Sequence, residues 1–137
     1  MGRSRKKLSG FYQTILQKTS YEKSETNFLL KTVDTKEKNI NYIVPEHLLK
    51  IYVEKILEYV IIAGEITHEE ATEVLFKDIY AVYKTKVATV RISLSILNMM
   101  VKEELLYSDN NEDYKLIKNP EVLREWFYGF FDNKNNT

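Results

Sequence analysis

The segment from Thr67 to Ile117 constrains the fold of this chain more than any other. It reads THEEATEVLFKDIYAVYKT, then KVATVRISLSILNMMVKEE, then LLYSDNNEDYKLI. Thr67 followed three residues later by Glu70 is a capping-box pattern, which predicts a helix start. The second stretch has apolar residues three and four apart, which predicts another helix. In the third, a turn-rich DNNE separates two short runs, which predicts a hairpin.

The segments before Thr67 are predicted from similar local signals. Residues 1–26 are predicted to form a basic arm with a short helix and a polar, loop-like end. Residues 27–44 contain two β-rich runs around DTKEKN, which predicts a hairpin. Pro45 suits a first helical position, and apolar residues at helical spacing predict a helix over 46–63.

The boundaries of the remaining elements follow in the same way. We predict helices over 68–83 and 86–104 and a hairpin over 105–117. We predict a final helix within 119–137, with Asn119 as its cap, and a disordered tail after the helix. The predicted fold class is therefore mostly α with small β, an α+β fold.

Composition limits the classes of protein that the chain can belong to. Its 137 residues, 44% of them hydrophobic, suffice for one compact domain with modest extensions. Lys and Arg balance Asp and Glu at 20 each, so only the distribution of charge can indicate nucleic-acid binding. Cysteine is absent, and no segment is predicted to be a secretory signal or to enter a membrane. We expect a soluble protein inside the cell, cytoplasmic or nucleoid-associated.

The predicted order of helix 46–63, connector 65–67, helix 68–83, helix 86–104 and hairpin 105–117 resembles the winged helix-turn-helix superfamily. In ATVRISLSILNMMVKEELLYS the helix and the hairpin look like the recognition helix and wing of many transcription regulators. The resemblance implies a winged-helix domain over 27–118 that binds double-stranded DNA.

No catalytic or metal-binding constellation is visible in the sequence, so we predict no enzyme activity, no cofactor and no metal. The segment around Ala88–Leu106 also resembles metal-responsive winged-helix repressors of the ferric-uptake type. Those proteins need clustered metal ligands, whereas His47 and His68 stand alone and cysteine is missing. With four glycines, a backbone nest for phosphate is not expected.

Charge along helix 86–104 points to a face that contacts DNA. Basic residues occur from Lys84 to Lys102 without an acidic one between them. We expect Val87, Val90, Leu94, Leu97 and Val101 to form the buried stripe, so that the opposite face lies in solvent. Arginine and asparagine suit base edges, and hydroxyls and lysines suit phosphates. The predicted DNA-binding residues on this helix are Lys84, Lys86, Thr89, Arg91, Ser95, Asn98 and Lys102. The other interpretation of this face of helix 86–104 is an ordinary solvated surface.

The wing is acidic, and it either contacts DNA through Lys115 or Lys118 or points away.

Each end of the chain has two interpretations. The basic residues Arg3, Arg5, Lys6 and Lys7 either contact DNA or form a solubilising tail. The C-terminal helix either forms a homodimer interface or caps its own core. The predicted interface residues are Leu123, Trp126, Phe127, Phe130 and Phe131.

The function predicted from the sequence is a sequence-specific, dimeric, DNA-binding transcription regulator. A second hypothesis is that the chain is a winged-helix subunit of a transcription, replication or segregation complex and binds a protein partner. A third is a non-specific nucleic-acid-binding architectural factor.

Overall fold

The computed structural model describes residues 20–33, 36 and 38–132. In this part the chain is an α+β fold, as predicted, and none of its helices is both long and apolar enough to span a membrane. The predicted basic arm and short helix within 1–19 lie outside the described residues. The elements are β1 (Ser20–Ser24), β2 (Asn27–Val33), β3 (Asn39–Pro45), α1 (Glu46–Ala63), β4 (Glu65–Thr67), α2 (His68–Tyr83), α3 (Lys86–Lys102), β5 (Leu106–Tyr107), β6 (Asp113–Leu116) and α4 (Pro120–Asp132).

Two three-stranded antiparallel sheets occur in the described part, one in the order β1-β2-β3 and the other in the order β4-β6-β5. Strands β2 and β3 form the hairpin expected over 27–44. The prediction of a loop at 20–26 is wrong, because Ser20–Ser24 is a strand. Its residue Tyr21 pairs with the buried Leu30 of β2. The polar sequence SYEKS carries no strand alternation, so packing against β2 decides its conformation.

Local capping chemistry sets the ends of the central helices. The capping box forms, since Thr67 Oγ1 accepts a hydrogen bond from the Glu70 amide at 3.0 Å and Glu70 Oε1 accepts one from the Thr67 amide at 2.9 Å. Gly64 ends α1 with φ at 84°. Helix α3 is two residues shorter than predicted, and Glu104 beyond it adopts a left-handed φ of 63°.

Helix α3 is the centre of the core. From Ile92 to Met100 every side chain is buried, because α3 packs against α2 on one side and against β1 and β2 on another. The predicted buried stripe is therefore wrong at its N-terminal end, where Val87 is 51% and Val90 42% exposed. A helix covered on several sides buries more than one stripe, and residue spacing alone does not fix which one.

Helix α4 packs on its own subunit. Leu123, Phe127 and Phe131 are buried, and Trp126 and Phe130 are half-buried against the core. These five residues are the ones predicted at a dimer interface, and that placement needs correction. Two aromatic rings from the end of α4 contact Phe28 of β2, with ring centroids 5.7 and 6.1 Å apart. The N-terminal sheet thus takes up the excess of aromatic residues, and the helix caps its own core.

Candidate nucleic-acid interface

A two-residue turn joins α2 to α3 and forms an exposed corner. Lys84 ends α2 with a left-handed φ of 66°, and its amide donates to the Tyr80 carbonyl at 2.9 Å. Thr85 caps α3, because its Oγ1 accepts a hydrogen bond from the Ala88 amide at 3.0 Å. Lys86 follows at the first position of α3. The corner consequently presents two cations beside a helix N-terminus, where anions are favoured.

Four of the predicted DNA-binding residues are at least partly accessible. Lys84 and Lys86 are exposed at the corner, and Lys102 is exposed at the opposite end of α3. Arg91 is half-buried, and its Nη1 donates a long hydrogen bond of 3.4 Å to the Tyr42 hydroxyl. Three of the accessible cations therefore lie at the corner or in the N-terminal half of α3, and Lys102 lies about three turns beyond Arg91.

Three other predicted residues are inside the subunit, so their expected exposure is wrong. Thr89, Ser95 and Asn98 are 0%, 2% and 0% exposed. Thr89 Oγ1 donates to the Thr85 carbonyl at 3.3 Å, and Asn98 Oδ1 accepts from the Tyr114 hydroxyl at 2.9 Å. Their side of α3 was predicted to lie in solvent, whereas packing on several sides of the helix encloses it. These side chains cannot reach a ligand on the folded surface.

Aromatic residues beside the corner were not predicted from the sequence. The rings of Tyr42 and Tyr83 meet edge to face with centroids 6.0 Å apart. The Tyr83 hydroxyl donates to the Ile43 carbonyl at 2.7 Å, and burial raises the pKa of Tyr83, which keeps this donor protonated. These contacts fasten β3 to the end of α2 and bring Tyr42 to Arg91. Because β3 is about 40 residues away in sequence, no local signal identifies the pairing.

A further basic residue was missed. Lys77 is exposed on α2, seven residues before Lys84, so both lie on about the same side of the helix axis. From Val74 to Lys102 the chain has five basic residues and one acidic residue. That acid, Asp78, accepts a hydrogen bond from the Lys55 ammonium at 2.7 Å. The C-terminal half of α2 and the N-terminal half of α3 are therefore cationic.

Acidic residues collect at the other end of α2. A groove of about 660 Å³ is lined by Thr67, His68, Glu69, Thr72, Glu73, Val90, Glu112 and Asp113. His68 Nε2 lies 3.0 Å from the Val90 carbonyl oxygen, and burial lowers the pKa of this histidine. The imidazole is therefore neutral at pH 7 and donates its proton to that carbonyl. A neutral His68 therefore adds no positive charge beside the carboxylates of the groove.

The β5–β6 hairpin continues this acidic side. Its turn is held by its own side chains: Asn110 Oδ1 accepts from the amides of Glu112 and Asp113 at 2.8 and 2.9 Å. The His68 amide donates to the Glu112 carbonyl at 2.8 Å, which fixes the turn to the start of α2. A rigid hairpin that carries Asp109 and these two acids would repel phosphate groups.

Within the described residues, no three His, Asp or Glu side chains are grouped so that they could hold a metal ion. The predicted DNA-binding residues Arg3, Arg5, Lys6 and Lys7 lie outside the described range.

Comparisons with known proteins add no family assignment. No protein-family model matches the sequence, and neither the curated proteins nor the solved structures contain a significant match.

Proposed function

We propose that the chain is a winged-helix-type domain that binds duplex DNA through the corner between α2 and α3 and regulates transcription by occupying its site. The order α1, β4, α2, α3, β5, β6 is the succession of elements that the sequence resemblance implies. The hairpin β5–β6 directly follows α3, and β6 also pairs with β4. This arrangement supports the proposal about the fold.

The observation that carries the functional proposal is the segregation of charge around α3. Lys77, Lys84, Lys86 and Arg91 lie on the cationic side, while the carboxylates of the start of α2 and of the hairpin line the groove beside Val90. A protein with zero net charge can attract a polyanion only through such a local excess. In the proposed complex the hairpin points away from the duplex.

The proposed contact is confined to the N-terminal half of α3. Lys84 and Lys86 contact phosphates, and Arg91 reaches a base edge after leaving the Tyr42 hydroxyl. The exposed side chain of Val87 suits a thymine methyl group. Helix-turn-helix proteins also use the N-terminal residues of the recognition helix for base contacts. The structure excludes Ser95 and Asn98 from this role.

The backbone conformation of Lys84 has an energetic cost. A left-handed residue at a helix end is usually glycine, and a lysine there costs about 1 kcal/mol. Glu25, Glu104 and Asn111 adopt the same conformation, so the strain alone does not mark a functional site. A phosphate contact made by the Lys84 ammonium would explain why lysine stands in this position.

Titration of the full chain with fluorescent duplexes at several salt concentrations tests the proposal. We expect Lys84→Ala/Lys86→Ala/Arg91→Ala to weaken binding roughly 30-fold and to reduce the slope of log K against log salt by about 2, one for each of the two lost lysine–phosphate contacts. Lys118→Ala, which removes an exposed cation outside the corner, is the matched control. An unchanged slope in the triple variant would show that the corner does not contact phosphates.

A second variant separates stability from binding. Lys84→Gly relieves the left-handed strain, so we expect it to raise the free energy of unfolding by about 1 kcal/mol while it weakens DNA binding several-fold. Urea unfolding and the same titration measure the two effects. If Lys84→Gly is stabilised and binds DNA as wild type does, the lysine has no role in binding.

Equal affinity for unrelated duplexes would indicate an architectural factor in place of a regulator.

The acidic groove favours a second candidate function, a protein-interaction subunit. Its carboxylates surround Val90, which belongs to the same helix as the proposed DNA contacts. A basic segment of a partner protein is the complement of this surface. Weak DNA binding that does not depend on salt would favour this function over DNA recognition.

A further inference from the structure

A second surface, formed by α1 and α4, carries chemistry that the DNA-binding proposal does not use. The two helices enclose a groove of about 260 Å³, whose floor includes the buried Leu57 and Phe127. Ile62, on its α1 side, is 88% exposed and Tyr128, on its α4 side, is 60% exposed. Ile61 lies beside them and is half-buried. Exposed apolar side chains that lie together commonly mark an interaction site.

The charges around this groove are arranged in a particular way. Glu54 and Glu58 project from α1, while Arg124 projects from α4 on the other wall. All three are exposed, and within the described residues no salt bridge joins the arginine to either glutamate. Among the residues that line the groove, α1 contributes the anions and α4 contributes the cation, with apolar side chains between them.

We propose that this groove is the contact surface of a homodimer. In a two-fold contact the same patch meets itself, so walls of opposite charge must face each other and apolar atoms must face apolar atoms. A two-fold axis that runs along the groove places Arg124 of one copy against Glu58 of the other, twice. The exposed Ile62 and Tyr128 side chains are then covered at the centre. A uniformly basic or acidic partner would satisfy only one of the two walls.

This interface differs from the one predicted from sequence, although both include α4 and share Phe127. The prediction used the side of α4 that packs onto the N-terminal sheet, whereas the groove uses the side that carries Arg124 and Tyr128. The dimer does not depend on DNA binding, because its residues are different. Loss of self-association without a change in affinity per subunit for a single half-site duplex would separate the two proposals.

Sedimentation velocity of the full chain over a concentration series tests the dimer. We expect a monomer–dimer equilibrium whose dissociation constant rises at least about tenfold in Ile62→Ser, since the change occurs twice in each dimer. Ile117→Ser alters another exposed isoleucine outside the groove and should leave the constant unchanged. Both side chains are exposed, so neither change should prevent folding.

Charge reversal gives a sharper test of the two-fold geometry. Glu58→Arg and Arg124→Glu should each weaken the dimer about tenfold, because each places like charges in contact. The double variant Glu58→Arg/Arg124→Glu should regain most of the lost affinity. A chain that stays monomeric at its highest soluble concentration overturns the proposal, as does a dimer that is unaffected by Ile62→Ser or not rescued in the double variant.

Discussion

Replacing Phe131 by alanine should lower the free energy of unfolding by about 3–5 kcal/mol, the range expected when a buried phenylalanine is truncated. Its side chain is 1% exposed, and its ring centroid lies 5.1 Å from that of Phe127 and 6.1 Å from that of Phe28. The change would leave a cavity where α4 meets the N-terminal sheet. Urea unfolding, followed by far-ultraviolet circular dichroism, measures the loss as a lower midpoint.

The matched control is Tyr107→Ala, which removes an aromatic ring at a position outside both proposed interfaces. Tyr107 is 54% exposed, so about 1 kcal/mol or less should be lost. A Phe131→Ala protein that is as stable as wild type but altered in oligomeric mass would contradict the burial of Phe131 between α4 and the N-terminal sheet. It would return Phe131 to the dimer interface predicted from sequence.

A second large effect is expected at Glu103, which joins three elements through one carboxylate. Its Oε2 accepts from the Tyr21 hydroxyl of β1 at 2.8 Å, and its Oε1 accepts from Trp126 Nε1 of α4 at 3.0 Å. Burial, the hydrogen bond and the negative charge of Glu103 all raise the pKa of Tyr21, so the phenol remains a donor. Glu103 lies directly after α3, and its two partners are 82 and 23 residues away.

Glu103→Gln should lower the free energy of unfolding by about 2 kcal/mol. The amide keeps one acceptor but turns an N–H donor toward the other partner, and bonds to a charged group are stronger than neutral ones. Trp126 is the single tryptophan of the chain, so its fluorescence reports unfolding at this junction.

Glu104→Gln is the control for this substitution, because it makes the same chemical change at an exposed neighbouring position. We expect it to alter stability by less than about 0.5 kcal/mol. Equal midpoints for the two glutamine variants would show that the carboxylate of Glu103 does not hold the sheet to α4.

Local signals were enough to predict most of the helices. The capping box at Thr67, Pro45 before α1 and Gly64 after it act within one helical turn, and α1 and α2 have the predicted bounds. The turn between β5 and β6 was also predicted, because asparagine side chains satisfy nearby backbone groups wherever the turn lies in the fold.

The candidate site was predicted only in part. Its charged corner follows from the order of residues, since Lys84 and Lys86 flank a helix start and such cations stay in solvent. The predicted solvent exposure of Ser95 and Asn98 was wrong. Periodicity shows which residues share one face of a helix, but it does not show what covers that face. Strands β1 and β2, which precede α3 by more than 50 residues, pack against this helix, and Asn98 accepts a hydrogen bond from Tyr114 of β6.

The sequence by itself thus determined the helices, their caps, the turn chemistry and the position of the cationic corner, all of which depend on interactions between residues close in the chain. Only the tertiary structure decided that α3 is enclosed, that Ser20–Ser24 is a strand and that α4 packs on its own subunit. These features arise from contacts between distant segments, such as Tyr21 with Glu103. Burial of apolar surface drives such contacts, and because it is not directional, a sequence pattern does not specify the partner.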